Sequence, residues 1–394
     1  VSGTADVVVI GAGIVGAAAA HRLTTLGFDV VVLDSGEPNG QGSGASAANL
    51  HSQGIHTRRP GQAVPVDVQR LLPLQRAARE RWTHLAAELD ADIGFSPTGG
   101  FMVAETDEQV ADLHRKHGWE TDAGVVTEVL DGDTARRALP LLGPGVRAAT
   151  WCAADGFADP ALVTPAYLAA ATRAGATVVP HHAVQGLTRD GETWTVHAGG
   201  STWNAPRVLN AAGPWMGRVV ELVGLALAMT PLAIQALRLG AGGARLPHLV
   251  QHVGEGFSVK QDRAGRTIVG GGWPALPWTL DDEPRTDPAS VTGNLGQLAR
   301  VLPGLVDRPV EHVWPGPLAA TPDEMPVAGW VPGRDGLLAV GGTYSFTFAP
   351  LWADVVGALL SGHAPPVDLT GLDPGRLVRP APDTETDPQE EPCG

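Results

Sequence analysis

Gly11-Ala12-Gly13-Ile14-Val15-Gly16 is the first stretch of the chain whose residue types and spacing can do chemistry. It follows a short apolar run, Val7 to Ile10, and opens a helical pattern, Ile14 to Leu26, that Gly27 ends. In that setting Gly11 permits a tight turn, Gly13 lets backbone approach a pyrophosphate, and Gly16 lets helix and strand pack closely. The unpaired N–H groups and positive dipole at the helix start, around Ile14 and Val15, suit phosphate oxygens. Asp34, with Ser35 after it, ends a second apolar run, Val30 to Leu33, about 20 residues on. A carboxylate there accepts hydrogen bonds from ribose hydroxyls and implies a 2′ position without phosphate.

The glycines alone do not separate one dinucleotide from another. A plain nicotinamide dehydrogenase continues with further strand–helix units. This chain instead continues with Gly42-Ser43-Gly44-Ala45-Ser46-Ala47-Ala48-Asn49, then Leu50 and His51. Small residues let backbone lie against a flat isoalloxazine ring, while Ser43, Ser46 and Asn49 supply hydrogen bonds. Two distant segments agree. Val208-Leu209-Asn210-Ala211-Ala212-Gly213-Pro214-Trp215 reads as a strand that ends in small residues. Val340-Gly341-Gly342-Thr343-Tyr344-Ser345-Phe346, with Thr347 next, leads into a helix. Its N-terminal dipole would stabilise negative charge on a reduced flavin. Val184 completes the expected cofactor contacts, and FAD is the expected cofactor.

The elements that must position these residues follow from periodicity. Continuous apolar runs at 7–10 and 30–33 suit strands buried on both faces of a parallel sheet. Residues 66–90 carry helical spacing through Leu71, Leu74, Ala78, Trp82, Leu85 and Leu89. Strands are expected near 99–104, 147–152, 176–179, 193–197, 206–210 and 336–340, and helices at 160–174, 214–223 and 349–361. Between 246 and 272, the runs His248–Val253, Phe257–Gln261 and Thr267–Gly270 are joined at glycines, which predicts an antiparallel meander. The segment from 377, rich in Pro, Asp, Thr and Glu, is expected to be disordered.

Composition narrows the function. A chain of 394 residues exceeds one ordinary core, so two domains are expected. A net charge of −15 argues against nucleic acid or an anionic membrane as partners. No apolar run reaches the roughly 18–20 residues of a membrane-spanning helix. Cys152 and Cys393 are the only cysteines, with no metal or iron–sulfur spacing, so no metal is expected and a cytoplasmic setting is. Lys116 and Lys260 are the only lysines.

Taken with "GASAANLHSQ", "VLNAAGPW", "GRTIVGGGW", "TPDEMPVAG" and "GLLAVGGTYSFTFAP", the chain resembles the FAD-dependent amino acid and amine oxidase family. That family includes D-amino-acid oxidase, glycine oxidase and sarcosine oxidase. "ANLHSQ" and "SVKQDRAGRTIVGGGW" look nearest to the opine oxidase and hydrogen cyanide synthase catalytic subunits. The resemblance spans residues 5–365. It implies an α/β fold in which a Rossmann-type FAD-binding domain (1–60, 145–222, 323–376) interleaves with an α+β substrate domain. The latter, 61–144 and 223–322, would be built on an antiparallel sheet.

The implied chemistry is oxidation of a C–N bond of an amine, amino acid or imino acid. Hydride passes to flavin N5, the imine hydrolyses, and O2 or another acceptor takes the electrons. Lys260, His51, Tyr344 and His252 are the catalytic candidates, Lys260 as a positive charge near the flavin. Arg58, Arg238, Gln251 and Trp273 are candidates for the substrate pocket. Two departures stand out. Before "TPD", where relatives place a carboxylate-binding arginine, the chain reads Trp314-Pro315-Gly316-Pro317-Leu318-Ala319-Ala320. The cysteine that holds covalent flavin in monomeric sarcosine oxidase has no counterpart, so noncovalent FAD is expected. Two alternatives stay open: a hydroxy-acid oxidase, and a flavin-bearing subunit of a larger electron-transfer complex with partner subunits.

Overall fold

The computed structural model describes residues 2–56 and 66–381. Val7–Ile10 and Val30–Leu33 are buried along their whole length, as strands of a doubly covered parallel sheet must be. The sheet runs in the order Val327–Trp330, Leu337–Gly341, Arg207–Asn210, Val7–Ile10, Val30–Leu33, Thr177–Val179. All pairs are parallel except the edge strand Val327–Trp330. The carboxyl ends at Ile10, Leu33, Asn210 and Gly341 therefore open on the same rim, where ligands of such sheets bind. The helix Ile14–Thr25 packs against Pro160–Arg173 and Ser345–Leu360, and Val68–Leu89 also lies on the last of these.

A second sheet supplies the opposite wall. Its order is Val310–Ala320, Thr230–Leu239, Thr267–Gly270, Ser258–Gln261, Leu249–His252, Gly100–Ala104, Ala148–Cys152, Glu128–Asp131. The expected meander is present, and every pair is antiparallel except Leu249–His252 beside Gly100–Ala104. A smaller sheet joins Ser2–Thr4, Ser201–Ala205, Thr193–Ala198 and Val184–Asp190.

Three sequence expectations need correction. Ala148–Cys152 falls in the segment 145–222 expected on the FAD side, yet it pairs with Gly100–Ala104 in the eight-stranded sheet. The cofactor-side chain therefore resumes later than residue 145. The final helix begins at Ser345 rather than 349, because Tyr344 takes a left-handed conformation (φ 63°) that starts the helical run directly after it. The segment from 377 is not wholly without structure: Val378–Pro380 pairs with Leu225–Leu227, and residues from 382 lie outside the described ones. The helices Asp107–Asp122 and Pro288–Val301 and the strand Thr230–Leu239 are additions to the sequence reading.

Candidate active site

A cavity of about 880 Å³ follows the carboxyl rim of the parallel sheet and reaches the eight-stranded sheet. Its floor is made of close backbone approaches. Gly11 sits at φ +104°, and a Cβ there would lie 2.6 Å from the Ala211 carbonyl oxygen. A Cβ on Gly13 would stand 2.9 Å from Ser43 Oγ, which itself accepts a hydrogen bond from the Ile14 amide at 2.9 Å. Asp34 accepts from the Ala12 amide (2.6 Å) and the Gly36 amide (2.9 Å). Burial raises its pKa and those two amides act against the rise. The carboxylate thus ties the glycine turn to the second strand while still facing the cavity.

The expected cofactor residues Gly11, Gly13, Ile14, Val15, Asp34, Ser35, Ser43, Ala45, Ser46, Asn49, His51 and Val184 line this cavity. Ala211, Ala212, Gly213, Trp215, Gly342, Thr343, Tyr344, Ser345, Phe346 and Thr347 line it too. Two do not. Gly16 lies behind the turn, where its hydrogen faces the Gly11 carbonyl, and Leu50 is buried in the core because the short strand Asn49–Leu50 alternates faces. A cradle that admits no Cβ, a helix start beside Ser43 and an acid at the second strand fit the ADP half of FAD. The start of Ser345–Leu360 and the loop 45–49 fit its ring. Thr347 Oγ1 donates to the Asn49 carbonyl (3.1 Å), and Asn49 Nδ2 donates to Ser258 Oγ (3.0 Å), so these segments brace one another.

Sequence reasoning missed the wall beneath the loop. Gly42 and Gly316 allow Val310–Ala320 to slide under it, and Trp314 Nε1 donates to the Ala45 carbonyl at 2.8 Å. Small residues in "PGPLAA" were the available signal.

The catalytic and substrate candidates divide. His51, Tyr344 and Gln251 line the cavity, with the His51 and Tyr344 rings edge to face at 6.4 Å. Burial, with the Lys260 charge second, pushes the His51 pKa down to about 4, and Gln251 acts weakly the other way. His51 is therefore a neutral ring at ordinary pH. Lys260 does not reach the cavity wall; it is buried behind it. Its ammonium donates to the Ala47 carbonyl and to Asn49 Oδ1 (3.1 Å), over the Phe157 ring at 4.7 Å. His252 is likewise behind the wall, with Nε2 3.3 Å from Glu105 Oε2 in a cluster with Arg300. Arg238 leans toward Glu311 at 3.5 Å, and Trp273 covers Gly293 and donates to Gln297 Oε1 at 2.7 Å. Strand alternation carries His252 to the face opposite Gln251, whereas Lys260 and Arg238 share the parity of the cavity-lining Ser258 and Ala236 but lie farther along their strands, and Trp273 follows the strand Thr267–Gly270. Arg58 lies outside the described residues.

Both lysines of the chain hold the loop that carries His51. Lys260 takes its start, as above. Lys116 takes its end: Nζ donates to Glu120 Oε1 and to Gln53 Oε1 (3.0 Å), and Glu120 accepts from the Gly54 amide at 2.7 Å. Asp155 accepts from the Ser52 and Gln53 amides and from Gln53 Nε2. Burial pushes Lys260 down to about 7, from a usual value of about 10.4. Between those values the unfolded chain holds a proton that the folded chain lacks, so stability rises with pH across that window and levels off above it. Urea unfolding of wild type and Lys260→Met at pH 7 to 10 should show this rise in wild type relative to the variant. A wild-type curve that falls relative to the variant would contradict the assignment.

Comparison with known proteins settles the family. The profile of the DAO family, FAD dependent oxidoreductase, matches residues 6–359. The chain belongs to this FAD-dependent oxidoreductase family. It is similar to the glycine oxidase of Bacillus licheniformis, with 24% identity over 91% of this chain and 93% of that one. An opine oxidase subunit of Agrobacterium tumefaciens is 26% identical over 82% of this chain and 84% of its own length. The crystal structure of glycine oxidase from Geobacillus kaustophilus superimposes with a TM-score of 0.84 at 25% identity, covering 94% of this chain and 98% of that chain. As a member of the family, the protein is an FAD enzyme, and the cavity described above is where its residues fit that cofactor. No helix among the described residues is long and apolar enough to cross a membrane.

Proposed function

We propose that this oxidoreductase oxidises a C–N bond of an amine, amino acid or imino acid to an imine, which water then hydrolyses, with FAD held noncovalently. The observation that carries the reading is one continuous cavity that joins the dinucleotide cradle to a wall bearing a neutral His51 and Gln251. When bound, FAD supplies the hydride acceptor. The chain supplies placement. Neutral His51 accepts a hydrogen bond from the amine N–H and so orients the reacting nitrogen, and the apolar Phe257 and Ile234 side chains exclude water beside it. Lys260 and Lys116 act as positioning residues through the loop they hold. The relatives named as glycine oxidase and as an opine oxidase subunit support this substrate class.

Anaerobic titration of the purified yellow protein with amines, amino acids and hydroxy acids tests it. Amines or amino acids should bleach the oxidised flavin band. Bleaching by hydroxy acids alone would identify a hydroxy-acid oxidase instead. Subsequent admission of air separates an oxidase, which forms peroxide, from a dehydrogenase. The Agrobacterium relative is by its name one subunit of an opine oxidase, which favours a second arrangement with partner subunits here. That arrangement predicts turnover only when a co-purifying subunit is restored. A buried, free Cys152 with its thiol pushed up to about 12 by burial suits the reducing cytoplasm we propose as its location, testable by cell fractionation.

His51→Ala should lower the rate of flavin reduction about 10–100-fold while leaving FAD content near wild type. An unchanged rate would remove His51 from the substrate side.

A further inference from the structure

Four buried polar atoms of cavity-lining residues have no hydrogen-bonding partner within the protein: Asn39 Oδ1, Thr343 Oγ1, Gln251 Nε2 and His51 Nδ1, of which the last two share one stretch of wall. Gln251 is 2% exposed, on the strand Leu249–His252, and its amide nitrogen can only donate. His51, on the loop after Asn49–Leu50, lies within side-chain hydrogen-bonding reach of Gln251, and its ring is neutral, so one ring nitrogen is an acceptor. Gln235, on the same wall, spends both its amide atoms on the Asp287 backbone at 2.7 and 3.1 Å. The neighbouring wall residues Ile234, Ala236, Phe257 and Ser258 carry no charge. Lys260 turns its ammonium to Ala47 and Asn49 behind the loop.

On this stretch of the described wall, beside Ile234, Ala236 and Phe257, Gln251 offers a free donor and His51 a free acceptor. A buried polar atom without a partner costs free energy, so each of these two calls for a group on the ligand. A carboxylate brought against this stretch loses its hydration without a free cation to meet it, since the lining arginine among the described residues, Arg218, is already paired with Asp281, whereas an amide, ester or hydroxyl oxygen needs only a single donor.

We propose that Gln251 and His51 form a neutral recognition pair for the substrate, and that the substrate is an amine bearing an uncharged polar group, an amide, ester or hydroxyl, beside the reacting carbon rather than a carboxylate. Gln251 Nε2 donates to that group's oxygen, and His51 accepts from the amine nitrogen. This inference rests on the amine-oxidation reading for its reacting bond but not for its binding pair.

The test uses the FAD-loaded protein and two flat, non-oxidisable probes of one shape, benzamide and benzoate, titrated calorimetrically. Benzamide should bind at least tenfold tighter, and Gln251→Met should remove most of that difference while FAD content and the flavin spectrum stay as in wild type. The wild-type ratio stands even if the variant fails to fold. Glycinamide and glycine, each at a pH giving the same fraction of neutral amine, should then show the same order in the concentration needed for anaerobic flavin reduction. Tighter benzoate binding that is lost in Arg58→Gln would overturn the proposal, because a cation would then be reading a carboxylate. Benzamide preference together with bleaching only by hydroxy acids or hydroxy amides would instead sink the amine-oxidation reading and leave the recognition pair standing.

Discussion

Gly16→Ala is expected to give a protein that retains less than a tenth of its FAD and unfolds at a markedly lower temperature. A Cβ at this position would lie 1.9 Å from the Gly11 carbonyl oxygen and 3.2 Å from Val9 Cγ1. Neither side can give. Gly11 is fixed by its amide donating to the Leu33 carbonyl at 2.8 Å and by its own close approach to Ala211. The helix Ile14–Thr25 would have to lift off the strand, which moves the amides meant for the pyrophosphate. Overpacking of this severity costs about 3 kcal/mol or more. Gly36→Ala is the control, because nothing stands within 4 Å of a Cβ there. The ratio of flavin to protein absorbance, with thermal melts of both variants, checks the expectation. Full FAD content in Gly16→Ala would show that the helix can shift without losing the phosphates.

Lys116→Met is expected to produce a comparable loss by a different route. Lys116 and Glu120 are both fully buried, and the ion pair between them is closed off from water. Burial lowers the Lys116 pKa, with Glu120 opposing. Removing the lysine leaves Glu120 uncompensated in the interior, at a cost of about 3–5 kcal/mol. Glu120→Leu added to Lys116→Met relieves the stranded charge but not everything else. Glu120 also accepts from the Gly54 amide and, through Oε2, from Thr127 Oγ1 at 2.8 Å. The double variant should therefore recover only part of the stability, and the loop behind His51 should stay loosened. Denaturant melts of the two variants and the wild type decide it. A double variant no better than the single would mean that the backbone bond to Gly54, not the charge, is the larger contribution.

The parallel sheet and the cofactor cradle were legible because their signals are local. A glycine spacing, an acid at a strand end and two short apolar runs need no knowledge of the rest of the chain. The eight-stranded sheet was half legible. Its long edge strand, Val310–Ala320, contains Pro315 and Pro317, residues that argue against a strand in sequence. At the edge, both prolines turn their missing donors away from the single neighbour, Thr230–Leu239. The helix Asp107–Asp122 is mostly polar and buries only Leu113, Lys116 and Glu120, so hydrophobic periodicity misses it. Its capping box, Thr106 with Gln109, was the readable sign.

Within the site, the sequence named the right strands but not the face each side chain would take. Lys260 stands two residues from the cavity-lining Ser258 and yet ends behind the wall, because its long stem carries the ammonium past the sheet to the carbonyl of Ala47. His252 follows Gln251 and so points to the opposite face, toward Glu105. Alternation predicts that the two differ; only the packed helix Pro288–Val301 decides which of them faces the cavity.

The burial of both lysines has a consequence for handling the protein. Its surface cations are arginines and histidines, so reagents that acylate side-chain amines find no target among the described residues while the fold is closed. Acylation of Lys116 and Lys260 becomes a clock for opening of the loop between them, with each lysine timing one end. Bound FAD should slow that clock at Lys260 first, since the residues it grips, Ala47 and Asn49, are themselves part of the cavity wall.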